Sequence, residues 1–261
     1  MSALRRRLSA EEGFTLPELL TGMVIAMIVL LAAFQTLDRV ILSTGTAQRR
    51  VEATQRGRLA MEDVTRQLRS QVCLTTEWTA TAQPPIVVRA SGPTTTEPAA
   101  DGTQAVAFYA DLQKTAALQS STTVPPELRV LRFDGAAFTL SVETYVPTVT
   151  SSTNASGVVT KTAVYPAAPT RTRRLMTHVH RDGTTPVFRF YTYDPAATPP
   201  QPTAPVSPWT AGAASVSRLN VTFEAWPTEA KSAQQVAAVL SDDVLVREVD
   251  SNDTTRIPNC Q

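Results

Sequence analysis

Gly13-Phe14-Thr15-Leu16-Pro17-Glu18-Leu19-Leu20 decides how the rest of this 261-residue chain is read. Before it stands the triplet Arg5-Arg6-Arg7, and from Leu19 to Leu37 the chain runs 19 residues without a charge. As a helix rising ~1.5 Å per residue that run covers roughly 28 Å, close to the ~30 Å hydrocarbon core of a bilayer. Basic residues on the N-terminal flank predict a single pass with the N-terminus cytoplasmic and the bulk of the chain exported.

Glu18 does not fit an ordinary anchor. At the start of an apolar run an unpaired carboxylate is costly and signals a partner. A secretory signal peptide also joins basic residues to an apolar stretch and a small-residue cleavage site, here Leu31-Ala32-Ala33. A plain single-pass anchor would place Glu18 at the membrane interface. Neither accounts for the order Gly-Phe-Thr-Leu-Pro-Glu.

That order resembles the leader and cleavage site of a type IV prepilin. The resemblance implies a leader of residues 1–13, cut by a prepilin peptidase between Gly13 and Phe14, with Phe14 N-methylated as the mature N-terminus. It also implies that Glu18, the fifth mature residue, pairs with the terminal amine of a neighbouring subunit in an assembled filament.

Beyond the apolar run, Leu37, Val40, Ile41, Thr44, Ala47, Val51, Thr54, Arg58 or Leu59, Met61, Val64, Leu68 and Val72 recur at three- and four-residue steps, with charged residues mostly between them. The helix is therefore expected to continue to Val72: 59 residues from Phe14, or roughly 89 Å if unbroken. Residues 14–37 form its membrane or filament-core half and residues 38–72 its amphipathic half. Gly45 and Gly57 each cost ~1 kcal/mol relative to alanine, and a local bend is expected there.

Residues 73–261 are enough for one sizeable core. Candidate strands are Ile86–Ala90, Ala105–Ala110, Leu128–Asp134, Ala136–Val146, Val158–Tyr165, Thr172–His180, Pro186–Asp194, Val216–Trp226 and Asp242–Val249. Asp134-Gly135 and Asp182-Gly183 read as hairpin turns, giving a mainly antiparallel meander. Ser91–Gly102, Pro147–Gly157 and Pro195–Gly212 read as surface loops outside the core. The expected class is α+β, a long N-terminal helix packed on an antiparallel sheet, and the resemblance makes it pilin-like.

Charge points to no partner. The chain carries 24 basic and 23 acidic residues, and without residues 1–13 it has 21 of each. Arg171, Arg173, Arg174, Arg181 and Arg189 cluster locally and could hold DNA phosphates, but the overall footprint of a nucleic-acid binder is missing. Cys73 and Cys260 are the only cysteines. Export to an oxidising compartment favours a disulfide, which would pin the chain end to the helix and, in the chain-entropy model, contribute ~5 kcal/mol. The other reading is two separate thiols.

Catalytic and metal signals are thin. His178, His180 and Asp182 share one face of an extended run, yet zinc calls for a convincing third and usually a fourth ligand. Asp250, Asn252 and Asp253 offer oxygens but lack the glycine and distal glutamate of a calcium loop. Asn154, Asn220 and Asn252 begin Asn-x-Ser/Thr sequons. No cofactor motif occurs, and an enzyme is not expected.

Arg58-Leu59-Ala60-Met61-Glu62 with Leu68-Arg69, the aromatic run Val187–Asp194, and Leu240–Val244 with Arg247 resemble large minor pilins of the W type and the related J-type pseudopilins of type II secretion. This implies a structural subunit whose partners are the prepilin peptidase, other major and minor pilins, an inner-membrane assembly platform, and lipid before assembly. It would reside in the inner membrane and then in a pilus or pseudopilus serving adhesion, motility, secretion or DNA uptake. The rival from another class is an exported binding or enzymatic domain on a simple anchor.

Overall fold

The computed structural model describes residues 15–111, 124–194, 201–202, 205–212, 215–228 and 238–246. Gly13, Phe14, Arg247, Asp250, Asn252, Asp253 and Cys260 lie outside them.

One helix, α1 (Leu16–Arg69), runs unbroken for 54 residues. Pro17 falls in its first turn, where the missing N–H has no intrahelical partner to lose. At the other end the amide of Ser70 bonds the Gln67 carbonyl, and that of Gln71 the Leu68 carbonyl. The Val72 amide then turns to the Tyr109 carbonyl, so the helix stops three residues short of the expected Val72. Contacts divide the chain within this helix into two units, Met1–Arg49 and Arg50–Gln261.

In the first unit every described residue but Gly45 is exposed, including Leu19, Ile25, Met27, Phe34 and Leu42. The helix is long and apolar enough to cross a membrane. An apolar surface of this extent is left bare only where lipid or another protein covers it.

In the second unit the helix buries Ala53, Gly57, Ala60, Met61, Val64, Thr65, Gln67 and Leu68. The periodicity predicted Val51 and Leu59 on this face, yet they are 56% and 67% exposed. Small residues won the position because the sheet comes too close for larger ones. A Cβ on Gly57 would stand 2.5 Å from Leu240 Cδ1 and 2.8 Å from Ala225 Cβ. Gly57 is thus a packing glycine, and the helix is continuous through it and through Gly45.

The strands are β1 (Gln104–Ala110), β2 (Glu127–Asp134), β3 (Thr139–Tyr145), β4 (Thr148–Thr153), β5 (Val159–Val164), β6 (Arg171–Thr177), β7 (Val179–His180), β8 (Phe188–Tyr191), β9 (Tyr193–Asp194), β10 (Gln201–Pro202), β11 (Arg218–Ala225) and β12 (Ala238–Leu245). A short helix, α2 (Pro208–Ala211), lies between β10 and β11. All strand pairs are antiparallel. One sheet has the order β1-β2-β3-β6; in the other, β12 pairs one flank of β11 while β7 and β8 share the opposite flank.

A main core joins Met61, Val64 and Leu68 of α1 to Phe108 and Phe133 of the first sheet and to Phe188, Leu219 and Phe223 of the second. A smaller core forms on the first sheet's other face, where Leu74, Trp78 and Val87 cover Ala107, Tyr109 and Val130. Sandwiched between the two, β1 is buried at every position. The two sheets meet at Gln104, whose side-chain amide donates to the Phe188 carbonyl (2.8 Å) and whose carbonyl accepts the Phe188 amide (3.0 Å). A buried side chain there takes the place of a strand rung.

Several local expectations are corrected. Ile86–Ala90 forms only an isolated bridge, Ile86 to Phe108. Ser91–Gly102 is not a loop outside the core: Thr95 is fully buried, its hydroxyl accepting the Ala107 amide, and the Thr96 hydroxyl accepts the Ala105 amide. Threonine hydroxyls thereby satisfy backbone groups on the edge of β1. Within Pro147–Gly157, residues 148–153 form β4, which pairs only with β5 and is exposed throughout. Within Pro195–Gly212, Val206 packs on the core beside Phe190 and the Trp209 indole donates to the Thr95 carbonyl.

Asp134-Gly135 does connect β2 to β3, with the Asp134 carboxylate accepting the amides of Ala136 and Ala137. Positive φ falls instead on Phe138 (52°), and Gly135 is required because a Cβ would lie 2.1 Å from the Asp101 carbonyl. Asp182-Gly183 is not a hairpin turn. It interrupts one flank of β11, between β7 and β8, which run in the same direction.

Candidate functional site

Glu18 lies exposed in the first turn of α1. Thr15 precedes the helix, and its carbonyl accepts the amides of Glu18 (3.0 Å) and Leu19 (3.1 Å). Thr15-Leu16-Pro17-Glu18 also has the spacing of a capping box, a start signal that hydropathy alone overlooks. An acidic side chain in the first turn of a helix interacts favourably with the helix dipole, and Glu18 stands there beside an otherwise apolar surface. Cleavage at Gly13/Phe14 falls outside the described residues.

Cys73 is buried and carries no free thiol. It follows α1 closely, as expected for a residue that would fasten the chain end there; Cys260 lies outside the described residues.

A groove of about 420 Å³ runs between α1 and β6, lined by Arg56, Leu59, Ala60 and Asp63 on one side and by residues 173–177 on the other. Asp63 organises it. Its carboxylate is shared by Arg173 (2.5 Å) and Arg66 (2.7 Å). Burial works against its charge, but hydrogen bonds from Arg173, Arg66 and Gln67 outweigh burial and hold its pKa below the usual value. Hydropathy gave no sign of this groove; its trace in the sequence is the arginine cluster, of which Arg173 and Arg174 line it.

The five clustered arginines do not form one patch. Arg171, Arg173 and Arg174 lie on β6. Arg181 packs over Gly102. The guanidinium of Arg189 donates to Asn220 Oδ1 (2.7 Å) and Thr222 Oγ1 (3.2 Å) on the second sheet.

The histidines are separated by a break in the strand. His178 has φ 58° and its Nδ1 contacts Thr177 Oγ1. The His180 ring is stacked between Phe138 (4.2 Å) and Trp226 (3.8 Å), and burial, with His178 nearby, pushes its pKa down. Among the described residues no three ligating side chains converge. Two sequons are structurally occupied: Asn154 Oδ1 accepts the amides of Ser156 and Val158 in the β4–β5 turn, and Asn220 is buried. Comparison with protein-family models, curated proteins and solved structures found no match to this chain.

Proposed function

We propose that this chain is a minor type IV pilin, a structural subunit that is cut by prepilin peptidase, methylated at Phe14 and packed by α1 into a filament. One observation carries the reading. The ordered motif Gly13-Phe14-Thr15-Leu16-Pro17-Glu18 runs into the first turn of a continuous helix whose first 27 residues are apolar or small with few exceptions and exposed. The mechanism is association. Inside an apolar bundle the Glu18 carboxylate neutralises an incoming Phe14 amine, and because such a pair is weakly screened, it fixes register more than it adds stability. The α+β second unit is the exported head, and a Cys73–Cys260 disulfide ties its end to α1. The Arg58–Arg69 pattern is shared with pseudopilins of type II secretion, and copurification with sheared surface filaments separates a pilus from that machine.

The test is the N-terminus of the membrane-purified protein, read by mass spectrometry with and without the prepilin peptidase. The expected product begins with methylated Phe14 and is absent without the peptidase; a start at Met1 or after Ala33 overturns the reading. In a second arm, Glu18→Ala keeps cleavage and loses incorporation into filaments. Wild-type incorporation would sink the charge pair.

A further inference from the structure

β6 ends the first sheet: among the described residues it pairs only with β3, and one row of its backbone groups has no strand beside it. Residues 171–174 are exposed. An open edge next to a groove is the geometry by which sheets accept an additional strand. Leu59 lies 67% exposed on the α1 side of that groove, an apolar surface for such a strand to cover.

The charges specify the guest. Arg173 pairs in register with Val142, and Arg171 with Thr144. Val142 belongs to the core under α1, so Arg171 and Arg173 emerge on the helix-facing side of β6, two residues apart. Arg174 borders the groove, but its register opposite Ser141 sends its side chain to the other face of β6; Arg171 lies just beyond the groove, on the same face of β6 as Arg173. Asp63 is the one carboxylate among the described groove residues, and two arginines already share it. Arg171 and Arg174 have no ion pair among the described residues. Arg56, at the other wall, has its Nε buried without a hydrogen-bond partner.

We propose that this groove docks an extended segment of a partner protein, added beside β6 as a fifth strand, with carboxylates at alternate positions facing Arg171 and Arg173 and an apolar residue covering Leu59. The same arginines exclude the commonest competitor. A second copy of β6 would bring arginine against arginine, and the register shift opposite Leu140/Ser141 bends the strand away from a flat edge-to-edge match. Positive charge on an edge normally repels other edges; here it admits one class, the acidic strand. The inference rests on the surface of the second unit alone, so it stands or falls separately from the pilin reading.

The experiment selects a random octapeptide display library on the detergent-solubilised full chain. Enrichment of acid-x-acid sequences is expected, with binding weakened on the order of tenfold in Arg171→Glu and changed little in Arg174→Glu, whose side chain faces away. Backbone amides of residues 172–176 should exchange more slowly with a synthetic copy of the selected peptide bound. Because Arg171 has no ion pair among the described residues and is exposed, its reversal is not expected to disturb the fold, and a circular-dichroism melt checks this. The proposal is overturned if no alternating-acid sequence is enriched, if Arg171→Glu binds as well as wild type, or if protection appears away from β6.

Discussion

Substituting Gly57 by alanine sets two known effects against each other. On propensity alone, alanine in a helix interior should stabilise by ~1 kcal/mol. The local packing says otherwise: the new Cβ would stand 2.5 Å from Leu240 Cδ1 and 2.8 Å from Ala225 Cβ. Leu240 can rotate its terminal methyl, but Ala225 has no rotamer to change, so β11 or α1 must move. Overpacking of this kind costs ~1–3 kcal/mol and occasionally more. Subtracting the propensity gain leaves a net loss of roughly 0–2 kcal/mol. For a domain of this size that lowers the melting temperature by up to roughly 8 °C. The assay is thermal unfolding of the detergent-solubilised full chain by near-ultraviolet circular dichroism. Ala225→Gly in the same background should restore part of the loss, with a coupling of ~0.5–3 kcal/mol. A Gly57→Ala protein that melts above the wild-type temperature, showing the propensity gain unopposed, would refute the close approach of α1 to the second sheet.

Gln104→Leu removes both bonds to Phe188 and strands a buried amide and carbonyl, so the denaturant midpoint should fall by the equivalent of ~2–5 kcal/mol with the slope unchanged. Gln71 is fully buried and neither polar atom of its side-chain amide has a partner among the described residues; Gln71→Leu should therefore raise stability by ~1–3 kcal/mol, and an unchanged melting temperature would mean that a partner outside the described residues or an internal water serves the side chain. Asp63 has a pKa depressed by folding, so its contribution is fully present above its unfolded value of ~3.9 and is lost as pH falls through the lower folded value. Melts of wild type and Asp63→Asn between pH 2 and 7 should differ by a constant amount above pH ~5 and by less as pH falls further; a wild-type advantage that grows on acidification would contradict the shift.

Long-range periodicity was legible and short-range packing was not. An apolar run of helical length is enough to place α1, a short apolar run is enough for β1, and near-alternation is enough for β2, β3 and β11. The phase of the buried stripe was hidden because hydrophobicity ranks Val51 and Leu59 above Ala53 and Gly57, whereas the distance to the sheet selects by size. β4 was invisible because Thr148–Thr153 has no buried face to leave an apolar signature. Thr95 and Gln104 look like surface residues, and their backbone bonds to Ala107 and Phe188 exist only once distant segments meet. Of the candidate site, the Gly13–Glu18 motif was readable outright, while the groove beside β6 depends on two elements 110 residues apart at Asp63 and Arg173.

The β4–β5 hairpin has a consequence for how this chain can change over time. Among the described residues its lower half is held by the bond from the Ala163 amide to the Trp78 carbonyl and by Lys161 over the Trp78 ring. Toward its tip, turned by Asn154 and Gly157, side chains on both faces meet solvent, and substitutions at such positions stay within about ±0.5 kcal/mol. Mutational drift can therefore rewrite the charge and shape of this ribbon while the two cores beneath stay fixed, making it the part of the molecule where lineages are freest to diverge.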